Sequence, residues 1–222
     1  MTPATAEVRT PGAAPRPAIE APVVRRLGRR DYLPTWQAMK DFTAGRGTDT
    51  PDEFWVVEHA PVYTVGIAGR PEHFPRTDSA IPIVRTDRGG QITYHGPGQI
   101  VVYTLLDLRR LGLTVRALVR TLEDAVVGLL AEHGLAARGD VDRPGVYVGS
   151  AKIAALGLKV RGGCCYHGLS LNVDMDLSPF GPIDPCGYPG LAVTDLRREG
   201  VTTDRDTLAR ELVQHLMERL HG

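Results

Sequence analysis

The sequence is poor in lysine and cysteine, and it has no excess of charge of either sign. Its 222 residues include three lysines against 23 arginines, three cysteines, and 26 basic against 26 acidic side chains. A net charge of zero argues against a surface built mainly to hold nucleic acid or an anionic membrane. No run of about 18 apolar residues occurs, so the sequence predicts no membrane-spanning helix. Each lysine and each cysteine is therefore a candidate for a specific role.

The first 22 residues contain five prolines and lack the apolar segment of a secretory signal. This composition predicts a flexible N-terminal arm over residues 1–22 and a single domain over residues 23–222. Without a signal segment the expected location is cytoplasmic, where thiols stay reduced.

Two amphipathic helices stand out in the second half of the chain. One is expected after the capping residue Thr114 and should stop at residues 133–134, a histidine followed by a glycine. The other is expected after Thr202 or Thr203, because apolar residues then recur at helical spacing to the end of the chain.

A third helix is expected over residues 32–42, with Leu33, Trp36 and Met39 on one face. The remaining regular structure is predicted to be β-strand, because short runs rich in β-branched and aromatic residues are bounded by glycine and proline. These elements favour a mixed α/β (α+β) domain whose sheet is partly antiparallel. The predicted strands are residues 23–27, 54–58, 62–65, 81–85, 100–108, 145–148, 153–160 and 166–173.

Outside the arm, glycine and proline cluster at residues 89–98 and 179–190. Glycine permits close backbone approach, so both segments are candidate loops that lie against a substrate. Residues 88–99 offer a guanidinium, an imidazole, amides and hydroxyls, but match neither common phosphate-binding glycine motif. From composition alone, a substrate loop and a solvated turn remain equally open.

Two of the three lysines, Lys152 and Lys159, lie seven residues apart in one predicted strand. In a regular strand this odd separation puts them on opposite faces, so at most one can face a buried site. Lys152 has small neighbours that could enclose its ammonium group. The alternative is a solvated lysine that protects a sheet edge.

The strand over residues 166–173 has an alternating pattern. Leu169 and Leu171 fall on one face, while Ser170 and Asn172 fall on the other. By the same alternation His167 belongs to the apolar face, where a histidine is usually a hydrogen-bonded core residue.

The three cysteines divide into two kinds. Cys164 and Cys165 lie in a predicted strand and are expected to act as small buried hydrophobic residues. Cys186 lies in a loop beside Gly187, which makes it a candidate nucleophile. Its thiol pKa would have to fall below the usual value of about 8.5, and Lys152 is the most economical source of the positive charge required.

These segments, in this order, resemble the lipoyl(octanoyl) transferase family. The resemblance rests on RGGQITYHGPGQ at residues 88–99, KIAALGLKVR at 152–161, YHGLSLNVD at 166–174 and PCGYPG at 185–190, and it covers residues 30–220. It implies the fold of the biotin/lipoyl protein ligase catalytic domain, a mixed sheet flanked by helices.

The resemblance also implies an activity: transfer of an octanoyl group from octanoyl-acyl carrier protein to a lysine of lipoyl domains. These domains belong to 2-oxoacid dehydrogenase subunits and the glycine cleavage H protein, and the transfer is the first step of endogenous lipoylation. Cys186 matches the cysteine that carries the acyl group as a thioester, and Lys152 matches the lysine that lowers its pKa. Cys165 would add a second thiol close to this site.

A monomer is the expectation for a compact chain of 24.1 kDa with balanced charge. The resemblance further implies that no ATP and no metal are needed, because the acyl donor arrives on the phosphopantetheine of the carrier protein. The substrate-binding residues implied by the match are Arg88, Gly89, Gly90, Gln91, Ile92, Thr93, Tyr94, His95, Ala155, Leu156, Gly157, Gly168, Leu169 and Ser170.

Three alternatives are distinguishable by experiment. An ATP-dependent lipoate or biotin ligase would share the fold but need no cysteine. A non-catalytic protein that binds lipoyl domains or acyl chains would bind without turnover. A metal site formed by Cys164, Cys165, His167 and Cys186 is disfavoured, because adjacent residues in a strand point to opposite faces.

Overall fold

The computed structural model describes residues 20–75, 80–184 and 190–221. Every predicted strand is present, with ends shifted by up to three residues. None of the helices in these ranges is long and apolar enough to cross a membrane. The strands are β1 (Val23–Arg30), β2 (Glu53–His59), β3 (Val62–Val65), β4 (Ile83–Arg85), β5 (Ile92–His95), β6 (Gln99–Asp107), β7 (Ala137–Gly139), β8 (Gly145–Val148), β9 (Ala151–Arg161) and β10 (Cys164–Asn172). The helices are α1 (Tyr32–Ala44), α2 (Leu108–Leu111), α3 (Val115–Glu132) and α4 (Arg205–His221).

Seven of these strands form one mixed sheet in the order β1-β2-β6-β10-β9-β8-β7. The β1–β2 pair is parallel and the other pairs are antiparallel, which confirms the prediction of a partly antiparallel sheet. The central strands β6 and β10 are buried almost throughout, because protein covers both faces of the sheet. This explains their long apolar runs.

Helices α3 and α4 cover one face of the large sheet and form the main core with it. The Thr114 hydroxyl accepts a hydrogen bond of 3.1 Å from the Ala117 N–H, so the predicted cap of α3 is confirmed. The last helix begins later than predicted, at Arg205. Asp204 supplies its cap by accepting a 2.9 Å hydrogen bond from the Thr207 N–H.

Helix α1 covers part of the opposite face. The predicted helix is confirmed. Of the three residues expected on one face, Met39 is buried, whereas Leu33 is 55% exposed. The buried series runs instead through Tyr32, Thr35 and Met39 at helical spacing.

A second sheet of three strands, in the order β4-β3-β5, packs against residues 175–183. Strand β5 lies inside residues 88–99, which the sequence suggested to be a loop. It forms because Ile92–His95 pairs antiparallel with β3, and a partner distant in sequence leaves no local signal.

We expect Leu122→Ala to lower the free energy of unfolding by about 2–5 kcal/mol, because its fully buried side chain leaves a cavity in the main core. The matched change Leu33→Ala should cost less than about 0.5 kcal/mol, because that side chain is exposed. Urea denaturation followed by circular dichroism measures both. Equal losses would contradict the burial difference between the two positions.

Candidate active site

A central cavity lies on the α1 side of the large sheet, between that sheet and β5. It encloses about 730 Å³ of space between protein atoms, counting its open mouth. All three segments predicted to bind substrate, residues 88–95, 155–157 and 168–170, contribute to it, together with Lys152. Its lining residues are Tyr32, Arg88, Gly90, Gln91, Ile92, Thr93, His95, Gln99, Val101, Tyr103, Lys152, Ala154, Ala155, Leu156, Gly157, His167, Gly168, Leu169, Ser170, Asn172, Phe180 and Val193.

Small side chains in the two central strands form the floor of this cavity. Ala155 of β9 pairs with Ser170 of β10, and Gly157 pairs with Gly168 two residues further along. A Cβ atom at Gly168 would lie 2.0 Å from the Val102 carbonyl oxygen, so only glycine fits at that position. The result is a shallow trough that follows the strands.

The Arg88 side chain fixes the loop that closes one side of the cavity. It is 7% exposed, and its guanidinium donates to the carbonyl oxygens of Thr64, Gln91 and Gly89 at 2.5, 2.7 and 2.8 Å. These bonds point back into the protein. Arg88 therefore shapes the cavity by holding residues 88–91 against β3.

Two residues of the predicted binding segment are not among the residues that line the cavity. Gly89 instead donates its N–H to the Leu158 carbonyl at 2.8 Å, which links the loop to β9. The Tyr94 ring packs edge-on against Phe180, with ring centroids 5.6 Å apart, in the core of the small sheet.

Lys152 is buried at the cavity wall and is not a solvated edge lysine. It is 4% exposed, and β9 lies between two other strands. Its ammonium donates to the Pro144 carbonyl at 3.0 Å and lies 5.2 Å from the centre of the Tyr147 ring. Gly145 makes room for it, because a Cβ there would lie 2.4 Å from the lysine Cε.

Lys152 and Lys159 occupy the same face of β9, contrary to the prediction. The register between β8 and β9 shifts so that Tyr147 pairs with Lys152 while Val146 pairs with Ala154. The extra residue, Ile153, is a β-bulge that reverses the alternation on one side of it. The prediction assumed a regular strand, and the bulge turns Lys152 toward the cavity.

His95 is built into the cavity wall by bonds to both ring nitrogens. Nδ1 lies 2.8 Å from the Gln99 Oε1, and Nε2 lies 3.3 Å from the Thr64 hydroxyl. Burial lowers the pKa of His95 to about 3, so the ring is neutral at physiological pH. With both nitrogens engaged, His95 is a poor candidate to donate a hydrogen bond to a substrate oxyanion.

His167 faces the cavity, so its predicted position on the apolar face is wrong. Its φ angle of +64° is rare for a residue other than glycine and costs about 1–2 kcal/mol. The left-handed backbone breaks the alternation, and the ring stacks on Tyr166 with centroids 5.1 Å apart. The prediction that His167 is buried and hydrogen-bonded is confirmed, since it is 1% exposed and its Nε2 lies 3.0 Å from an Asp87 carboxylate oxygen.

Asp87 is a site residue that the sequence did not single out. Its carboxylate accepts hydrogen bonds from His167, from the Tyr166 hydroxyl and, at 3.0 Å, from the Trp36 indole N–H. Burial opposes its ionisation, yet bonds from His167 and Tyr166 hold the pKa of Asp87 well below its usual range. In the sequence, the one indication that Asp87 belongs to the site is its position directly before Arg88.

The strand cysteines lie away from the cavity, as small buried residues. Cys165 is fully buried in the core beneath α3 and α4, and burial raises the pKa of its thiol to about 12. The expectation of a second thiol close to the site is therefore wrong for Cys165. It also lies on the face opposite to His167, which opposes a metal site shared by the two. Cys186 lies outside the described residues.

A chain of buried polar groups links His95 to the backbone of Lys152. The Gln99 amide, which bonds His95, donates to the Asn172 side-chain oxygen at 2.9 Å, and Asn172 donates to the Thr194 carbonyl at 3.0 Å. The Thr194 N–H in turn donates to the Lys152 carbonyl at 3.0 Å. This network holds residues 192–194 against the start of β9.

Comparison with known proteins agrees with this architecture. A bipartite lipoate protein ligase from Thermoplasma acidophilum superimposes with a TM-score of 0.72 at 17% identity, covering 91% of this chain and 85% of that one. A biotin protein ligase from Aquifex aeolicus gives 0.54 at 12% identity, covering 90% and 70%. The predicted biotin/lipoyl ligase-like fold is therefore confirmed.

Sequence relatives are much closer. The octanoyltransferase of Dechloromonas aromatica (strain RCB) is 59% identical over 199 residues, covering 90% of this chain and 97% of that protein. The octanoyltransferase of Nitrosospira multiformis is 62% identical over 190 residues, covering 86% and 88%. The family model for the lipoyl protein ligase A/B catalytic domain matches residues 31–217. The chain therefore belongs to the lipoyl protein ligase A/B catalytic domain family, on the octanoyltransferase branch represented by these relatives.

Proposed function

We propose that this chain transfers an octanoyl group from octanoyl-acyl carrier protein to a lysine of lipoyl domains, through a thioester on Cys186. The observation that carries the proposal is the buried ammonium of Lys152 at one end of a narrow trough, in a chain 59–62% identical to proteins named octanoyltransferase. A buried cation beside an apolar channel suits a reaction between an acyl chain and a thiolate.

The chain on both sides of the Cys186 loop borders the cavity, which supports Cys186 as the nucleophile. Phe180 and Val193 both line the cavity. The Lys152 N–H donates to the Ala192 carbonyl at 2.8 Å, so the segment after the loop is tied directly to the lysine. Ala192 is six positions after Cys186, a length of chain that spans at most about 20 Å.

In the first step the Cys186 thiolate attacks the carbonyl carbon of the octanoyl thioester. A new carbon–sulfur bond forms to Cys186, the bond to the phosphopantetheine sulfur breaks, and that sulfur leaves as a thiolate that takes a proton from the Lys152 ammonium. This transfer leaves Lys152 neutral for the second step. One thioester replaces another, so the step needs no input of energy. The Lys152 ammonium stabilises the attacking thiolate by charge proximity.

In the second step the amine of the lipoyl-domain lysine attacks the Cys186 thioester. The amide bond forms, the bond to sulfur breaks, and Cys186 departs as a thiolate. Lys152 in its neutral form accepts the proton that the amine releases. Amide formation from a thioester is strongly downhill and drives the overall transfer.

The trough supplies the binding energy for the acyl chain. Each methylene buried against apolar lining residues such as Ile92, Val101 and Ala155 contributes about 0.8 kcal/mol. His95 and Arg88 border the trough but are satisfied by protein groups, so their part is to shape it.

The partners in this proposal are an acyl carrier protein and lipoyl-domain proteins, with no ATP and no metal required. Cytoplasmic location, a monomeric state and the division into an arm (1–22) and a single domain (23–222) stay predictions from the sequence.

The competing function is an ATP-dependent ligase, because a lipoate-protein ligase A bound with ATP shares the fold at 19% identity and a TM-score of 0.74.

We expect the purified protein to transfer an octanoyl group from octanoyl-acyl carrier protein to a lipoyl domain in the absence of ATP. The thioester already carries the activation that a ligase obtains from ATP. Intact-mass measurement of the lipoyl domain, with and without an ATP-depleting enzyme, tests this. A requirement for ATP would favour the ligase.

We expect a covalent octanoyl adduct after incubation with octanoyl-acyl carrier protein alone, labile to hydroxylamine and mapped by peptide mass to Cys186. Cys186→Ser should abolish both adduct and transfer, because a hydroxyl is a far weaker nucleophile than a thiolate. Cys165→Ser is the matched control and should keep the adduct, since Cys165 lies in the core away from the cavity. Absence of any adduct under single-turnover conditions would rule out the covalent route.

We expect Lys152→Ala to reduce transfer by 100-fold or more, on the order of the loss of a general base or a charge stabiliser. Lys159→Ala is the control on the same strand and face. It is partly exposed and does not line the cavity, so it should retain transfer within a few-fold. Steady-state rates and melting temperatures are compared for both variants. Similar losses of rate in the two would contradict the role assigned to Lys152.

A further inference from the structure

The central cavity has two chemically different ends. Because β9 and β10 are antiparallel, Lys152 and Asn172 lie at one end of the trough. Gly157 and Gly168 face each other near the other end. An acyl chain attached near Lys152 must therefore extend toward the glycines.

The far end is closed by aromatic rings and by the loop over residues 88–91. One residue beyond the glycines, Leu158 pairs with His167, and the Leu158 carbonyl accepts the Gly89 N–H at 2.8 Å. Tyr103 pairs with Gly168 from the other side and also lines the cavity. His167 thus lies where the trough stops.

The His167 ring is held in place from two directions. Its φ angle of +64° turns it onto the cavity face, and its Nε2 lies 3.0 Å from Asp87. The same carboxylate is anchored by the Trp36 indole and the Tyr166 hydroxyl. The His167 ring is therefore rigid. Its backbone is strained, and its partner carboxylate accepts three hydrogen bonds.

The distance between the two ends fits an octanoyl chain. The Lys152 ammonium lies beside Gly145, because a Cβ there would be 2.8 Å from its nitrogen, and Gly145 pairs with Ala155. From Ala155 to Leu158, opposite His167, the strand advances about 10 Å. An extended octanoyl chain measures about 9 Å from its carbonyl carbon to its methyl group, given C–C bonds of about 1.5 Å.

We propose that the His167 ring, positioned by Asp87, is the end stop that sets the acyl chain length this protein accepts. The proposal rests on the octanoyl transfer argued above and names what limits its substrate. His167 acts by occupying space next to the terminal methyl group, and Asp87 acts through His167.

The test compares octanoyl-, decanoyl- and dodecanoyl-acyl carrier protein as donors for wild type, His167→Gly and His167→Asn. Glycine and asparagine both tolerate a positive φ, so these changes remove the ring without adding backbone strain. We expect the ratio of kcat/KM for decanoyl over octanoyl to rise by about fourfold for each methylene newly accommodated. Asp87→Asn, which leaves every ring in place, should shift the ratio in the same direction by a smaller factor.

His133→Gln is the matched control, because that imidazole pairs with Glu211 at the end of α3 and does not line the cavity. Its chain-length ratio should equal that of wild type. Loss of rate in the His167 variants by the same factor for every chain length would overturn the proposal, since a merely structural histidine would act in that way.

Binding of octanoate, decanoate and dodecanoate, measured by calorimetry, separates this proposal from the transfer reaction. If wild type transfers no octanoyl group but His167→Gly still gains affinity for the longer acids, the end stop stands and the proposed function fails. If wild type transfers octanoyl and neither the rate ratio nor the affinity ratio changes, the end stop fails alone.

Discussion

The guanidinium of Arg88 is buried where the two sheets meet, and the cavity depends on that junction. It binds the Thr64 carbonyl of the small sheet and the Gln91 carbonyl of the loop that follows, while the adjacent Gly89 N–H bonds Leu158 of the large sheet. A charge removed from water is costly unless hydrogen bonds replace its hydration. These carbonyls supply that replacement, and without them the small sheet would lose its fixed position over the trough.

The large sheet separates two functions of the protein interior. One face packs on α3 and α4 and supplies the main apolar core, including Cys165. The other face carries the trough, with Lys152 at one end and His167 at the other. Arg88, His95 and His167 on this second face are buried and hydrogen-bonded to protein groups, so the trough itself stays apolar between two polar ends.

Much of this arrangement could be predicted from the sequence, since the strong local signals were reliable. The Thr114 cap, the apolar stripe of α3 and the buried strand cysteines are all confirmed. The family resemblance, which rests on four short motifs, identified the fold and the octanoyltransferase relatives. The order of these motifs is readable from the sequence, whereas the geometry that they form is not.

The errors at Lys152 and His167 share one physical origin, which is that alternation assumes a regular backbone. A bulge at Ile153 put Lys152 on the cavity face, and a positive φ put His167 there. Strand β5 was missed because four residues paired with a distant strand leave no periodic signal. Asp87 went unnoticed because its donors, Trp36 and the adjacent pair Tyr166 and His167, lie far from it in the sequence.

The bulge at Ile153 also limits which insertions and deletions the polypeptide can tolerate at the start of β9. Deletion of Ile153 would restore regular pleating and keep nearly the same composition. It would also rotate the lysine away from the trough and toward the apolar core beneath α3. Surface loops elsewhere can gain or lose residues at little cost, but the first residues of β9 have a fixed number.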